Sequence, residues 1–250
     1  MADNNPAKVE ATMKGILLLF LLSSWPPTVN PVWQLAEYPT AAQVLKLLNS
    51  KTAPAQFYLA TQKTSAGAVV FQVFYQAGVQ LSSTPWQVRK AATVTEALDF
   101  VNSQGAFAKT PEKEFRICGD AAAIQTPSFW IFYHKYEGRT PEAAKGQWNW
   151  QCESFDRPVA VQGFLTRRRD QELLTDVEIT GAGDKFHVFY RAPHLYDAPG
   201  MPSPVWHWLT RENATGLLEV LNAGHEKHTI QNFRIAAIPE PSGTAFYLFY

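Results

Sequence analysis

The stretch Trp33-Gln34-Leu35-Ala36-Glu37-Tyr38-Pro39-Thr40-Ala41-Ala42-Gln43-Val44-Leu45-Lys46-Leu47-Leu48-Asn49 decides the fold, because its seventeen-residue plan returns at residues 86–102, 150–166 and 206–222. An indole opens every copy, and Asn49, Asn102, Thr166 or Asn222 closes it. The two residues before the closing one are always apolar: Leu47-Leu48, Phe100-Val101, Phe164-Leu165 and Val220-Leu221. The residue after the indole is Gln34, Gln87, Gln151 or His207.

A second motif travels with the first. Aromatic segments of the form F-x-[VIL]-F-Y end at Tyr75, Tyr133, Tyr190 and Tyr250, and a fainter copy at residues 17–21 precedes the first block. The segment ends are 54, 58, 57 and 60 positions apart. Self-similarity at such a period is the mark of repeated supersecondary units.

Inside each block the opening residues alternate apolar and polar side chains, as a half-buried strand does. Thr40, Thr93, Asp156 and Asn213 then offer helix caps, and apolar residues recur at i, i+3 and i+4 over residues 41–48, 94–101, 158–165 and 214–221. Helices so short need tertiary packing to persist. Return strands follow at residues 56–61, 114–118, 176–180 and 232–236, the second and fourth sharing Phe115-Arg116-Ile117 and Phe233-Arg234-Ile235. Turn-rich segments then lead into the next aromatic strand as an antiparallel hairpin.

The expectation is an α+β, strand-dominated chain of four tandem strand-strand-helix-strand repeats of about 57 residues, plus a closing C-terminal strand. Residues 1–12 read as a tail and 13–250 as a single repeat-built domain, with units near 14–62, 68–120, 128–182 and 185–238 and the closing strand at 245–250. A closed array and two packed halves are both compatible with this pattern. In unit count and length the tandem four resembles hemopexin-type repeats, whose unit also combines antiparallel strands with a helix. The acidic-Ala strand starts and short aromatic hairpin of those repeats are missing here, so the resemblance implies no function.

Composition narrows the partners. Lys+Arg and Asp+Glu stand at 22 each, so the chain lacks the basic excess that nucleic-acid binders use to displace counterions. The basic run Arg167-Arg168-Arg169 reads as a solvated end directly after the third helix. The apolar run at residues 16–22 is too short to cross a bilayer as a helix and sits where the repeat calls for a strand. A cytoplasmic chain is expected; a translation start at Met13 would instead give a secreted one. Cys118 and Cys152 are expected on strands flanking residues 129–133, about 9–10 Å apart and beyond disulfide reach.

Residue types present in every unit are explained by packing, whereas those that break the symmetry are free to serve function. The repeated Trp and Tyr residues therefore read first as core, and second as equivalent stacking surfaces for sugars or flat ligands. Symmetry is broken most visibly between residues 187 and 228, where five of the six histidines lie. The proline-rich connection 192–204 carries His194, Tyr196 and Asp197, and these with His207, Trp208 and Trp150 form the candidate ligand contacts. The His225-Glu226-Lys227-His228 stretch lacks the spacing of a zinc protease motif. Cys152 with His207 or His134 is a formal nucleophile pair, but a buried inert thiol is the better reading. No known catalytic motif, metal site or cofactor site is found. The expected function is that of a soluble non-catalytic binding protein, lectin-like in using aromatic pockets formed by its repeats, with a small-molecule or glycan ligand and self-association left open. The alternatives are an enzyme or small-molecule binder with one site in the divergent fourth repeat, and, third, a defence toxin or self-assembling structural protein.

Overall fold

The computed structural model describes residues 32–50, 52–78, 84–103, 115–122, 126–134, 150–171, 176–191, 205–230, 232–241 and 243–250. The tail, the apolar run at 16–22 and the connection 192–204 lie outside the described residues. The elements are β1 (Trp33–Tyr38), α1 (Ala41–Leu48), β2 (Gln56–Lys63), β3 (Val69–Gln76), β4 (Trp86–Ala91), α2 (Val94–Ser103), β5 (Phe115–Gly119) and β6 (Phe129–His134). They continue with β7 (Gln151–Phe155), α3 (Pro158–Gln171), β8 (Asp176–Ala182), β9 (Lys185–Arg191), β10 (Trp208–Arg211), α4 (Ala214–Glu226), β11 (Arg234–Glu240) and β12 (Gly243–Phe249).

The strands form four three-stranded antiparallel sheets: β1-β3-β2, β4-β6-β5, β7-β9-β8 and β10-β12-β11. In each, the aromatic strand is the centre, flanked by the Trp-led strand and the return strand. This corrects the phase expected from sequence. The aromatic strand pairs with the Trp strand before it, Trp33 opposite Gln76 and Trp86 opposite His134, not with the Trp strand that follows. The closing strand expected at 245–250 is therefore the centre of the fourth sheet, and no strand is left over among the described residues.

Helix starts follow the caps. The Thr40 hydroxyl accepts from Gln43 N at 3.3 Å, the Thr93 hydroxyl from Glu96 N at 3.1 Å and Asn213 Oδ1 from Gly216 N at 2.7 Å. Asp156 is not the third cap. Ala160 N and Val161 N bond to Arg157 O, seven residues after its Trp like the other caps, while Asp156 pairs with Lys185 at 3.2 Å. Three of the helices run past their expected ends, and α3 includes positions 167–169, so the arginine run lies within the helix.

Each sheet packs its face against the next one, and each interface holds one apolar cluster. Phe57, Leu59, Phe71 and Val73 of the first sheet meet Trp86, Cys118 and Phe132 of the second. Phe233, Ile235, Phe246 and Leu248 of the fourth meet Trp33, Ala60 and Phe74 of the first, which closes the cycle. The return strands β2, β5, β8 and β11 likewise touch in a closed cycle, so they surround a pseudo-fourfold axis. Their approach is close enough to dictate glycine: a Cβ on Gly119 would lie 1.8 Å from Gly181 O, and one on Gly181 would lie 2.0 Å from Ala237 O.

Hydrogen bonds fasten each helix to the following sheet. Asn49 Oδ1 accepts from Trp86 N at 2.7 Å and its Nδ2 donates to Trp86 O at 3.0 Å. Asn102 brackets Trp150 in the same way at 2.7 and 3.1 Å, and Asn222 brackets Trp33 at 2.8 and 3.0 Å. In the third unit Thr166 stands where the Asn would be, and Gln162, one helical turn earlier, donates to Trp206 O at 2.7 Å. The array is therefore closed, fourth unit onto first.

Candidate functional site on the pseudo-fourfold axis

Four residues occupy one equivalent position on the return strands, each opposite the second Phe of its aromatic strand. They are Tyr58 (opposite Phe74), Arg116 (Phe132), Glu178 (Phe189) and Arg234 (Phe249). Strand alternation turns all four toward the preceding sheet, and the closed cycle brings them together. Arg116, Glu178 and Arg234 are buried, whereas Tyr58 is half-buried.

The ring is knit by charge-assisted bonds. Arg116 Nη1 donates to Glu178 Oε1 at 3.2 Å, and Arg234 Nε lies 3.7 Å from the same oxygen. The two arginines repeat one geometry: Nε of Arg116 donates to Phe57 O at 3.0 Å, and Nε of Arg234 donates to Val177 O. Nη1 of each also donates to the carbonyl of the residue before it, Phe115 at 3.0 Å and Phe233 at 2.8 Å. Opposite Glu178, the Tyr58 hydroxyl accepts from Arg234 Nη1 at 3.4 Å. Both guanidinium carbons lie over the Tyr58 ring, at 5.2 Å for Arg116 and 5.7 Å for Arg234. Chemically the ring brings two guanidinium groups, one carboxylate and one phenol together, with the Tyr58 ring itself packed on Phe233 at 4.4 Å. It contains no nucleophile paired with a base.

Of the residues singled out from sequence, His207, Trp208 and Trp150 are among the described residues. His194, Tyr196 and Asp197 lie outside the described residues. His207 is exposed and exchanges backbone bonds with Tyr250 at 2.7 and 3.0 Å, occupying the place of the glutamines that accept from Tyr133 and Tyr190 in the second and third sheets. Trp208 is half-buried near Tyr247. Trp150 is only 4% exposed and stands edge-on to Phe115 at 4.8 Å. Trp33 and Trp86 are as deeply buried, at 3% and 4%, so these three indoles are core and present no stacking face.

The cysteines are on different sheets, not on two strands flanking one: Cys118 on β5 and Cys152 on β7. Both are free. Burial pushes the Cys118 thiol up strongly, and burial with the nearby Glu153 carboxylate pushes Cys152 up to about 12. Neither thiol is poised for nucleophilic work at neutral pH. Among the described residues no three His, Cys, Asp or Glu side chains stand together as a metal site, and no helix is long and apolar enough to cross a membrane. A shallow open depression of about 390 Å³ lies at the start of α4, lined by Thr210, Arg211, Glu212, Asn213 and Gly216.

Comparison of the chain with protein-family models, with curated proteins and with solved structures gave no match in any of the three.

Proposed function

We propose that this chain is a non-catalytic binding protein with one ligand site, the axial ring, and that its ligand is a small molecule or acidic sugar carrying a carboxylate or phosphate. One observation carries the reading. At a position where packing alone would repeat one residue type, the four strands bear Tyr58, Arg116, Glu178 and Arg234. Guanidinium groups suit planar anions, and Tyr58, the most accessible of the four, places its hydroxyl beside Arg234. Four equivalent indole pockets are the less favoured arrangement, since Trp33, Trp86 and Trp150 are filled into the core.

Calorimetric titration with a panel of small carboxylates, phosphates and uronic acids tests the proposal. One site per chain is expected, weakened at least about tenfold by Arg234→Met, as for a lost charge-assisted contact, and altered by Tyr58→Phe, which keeps the ring and removes only the hydroxyl. Two or more equivalent sites, or a single site indifferent to both changes, would sink it.

A further inference from the structure

A second position breaks the symmetry on the outer pair of strands. Cross-strand partners there are Glu37 with Gln72, Lys90 with Trp130, Ser154 with His187 and Thr210 with Tyr247. The first pair is a hydrogen bond at 2.8 Å and the second places an ammonium 5.0 Å from an indole centroid. The third has a different chemistry. Ser154 is exposed, and its Oγ lies 2.9 Å from Nδ1 of His187, which is 2% exposed.

The other imidazole nitrogen fixes the tautomer. His187 Nε2 lies 3.3 Å from Ala182 O, and a carbonyl only accepts, so Nε2 carries the proton. Nδ1 therefore presents its lone pair, and the Ser154 hydroxyl donates into it. Phe129 of the neighbouring sheet stands edge-on to the imidazole at 5.1 Å and holds the ring in place. Burial, outweighing the hydrogen bond to Ala182 O and helped by the Lys185 ammonium, holds the imidazole below its usual pKa of 6.5. An exposed hydroxyl, a neutral base in hydrogen-bond reach and a third group orienting that base are the elements of an activated nucleophile.

We propose that Ser154 is a reactive hydroxyl that takes acyl groups from small activated carboxylic esters, with His187 as its base and Ala182 O as the orienting group. In the step, Ser154 Oγ forms a bond to the acyl carbon while its proton passes to His187 Nδ1. The bond from that carbon to the leaving oxygen breaks, and the imidazolium returns the proton to the leaving oxygen. This site is separate from the axial ring and stands whether or not the ring binds a ligand.

The test is treatment of the folded full-length chain with p-nitrophenyl acetate, followed by peptide mass mapping. One acetyl group at Ser154 is expected, absent in Ser154→Ala. His187→Gln installs the residue type found at the equivalent Gln72 and should slow acetylation about a hundredfold, the lower end of general-base effects. Ser154→Cys gives a readout independent of that variant's folding: the thiol it introduces should be alkylated by iodoacetamide well ahead of Cys152, two residues away on the same face of β7. Acetylation confined to Lys185 or other amines, an unchanged rate in His187→Gln, or an introduced thiol no faster than Cys152 would overturn the proposal.

Discussion

At Asn102 a single side chain satisfies both backbone groups of Trp150 in the next sheet. Removing it leaves a part-buried N–H and C=O without that partner, a larger loss than deleting a solvent-facing bond. Asn102→Ala should lower stability by about 1–3 kcal/mol in urea titration, with Asn102→Asp, which keeps the acceptor and loses the donor, falling between it and the native chain. Gly119 is a second such point. Because its missing Cβ would fall 1.8 Å from a backbone oxygen rather than a flexible side chain, Gly119→Ala must shift a strand at the axis. A loss of about 1–3 kcal/mol is expected, and an unchanged melting temperature would contradict the close approach. The closing Asn and opening Trp are visible in the sequence, but as two ends of one block. Their bond runs from the end of one block to the start of the next, and nothing within a single block signals that.

The eight-residue α1 is too short to hold itself together and keeps its form by burying Ala41, Val44 and Leu48. Those side chains lie in the cluster shared with Trp86 and Phe132 of the second sheet. Leu48→Ala should cost about 2–5 kcal/mol as a core truncation, and hydrogen exchange should quicken in β4 as well as in α1. Protection lost from α1 alone would mean that the helix is not docked on its neighbour. Helix starts are legible because caps are local chemistry, as at Thr40 and Asn213. Their ends are not, since α3 and α4 continue through residues whose polarity shows no stop signal. Strand existence is legible in the aromatic motif, but sheet membership is not: an aromatic strand has a Trp strand on each side of it in the chain, and only three-dimensional register selects the earlier one. The axial ring is legible in principle. Phe115-Arg116-Ile117 and Phe233-Arg234-Ile235 stand out as a pair, yet broken symmetry is far more conspicuous in the histidines and loops than on the return strands that carry the ring.

Two buried histidines tie the stability of the whole array to pH. Burial lowers the pKa of both His134 and His187 below the usual 6.5. A histidine whose folded value is depressed favours the folded state above its unfolded value, where both states are neutral. As pH falls through about 6.5 the unfolded chain takes up protons that the folded chain refuses, so stability declines until the folded values are reached. Urea midpoints measured between pH 7.5 and 5 should fall, and His187→Gln should flatten the slope; a midpoint that rises over this interval would refute the assignment.

Because every helix is docked on the sheet of the following unit, no unit is self-sufficient. A half-chain of the first two units would leave α2 with no Trp150 to grip and begin with a Trp33 that no Asn222 brackets. Two copies of that half can answer each other's need head to tail, Asn102 of one onto Trp33 of the other. The same wiring that closes the four units into a ring would close two such halves into a C2 dimer.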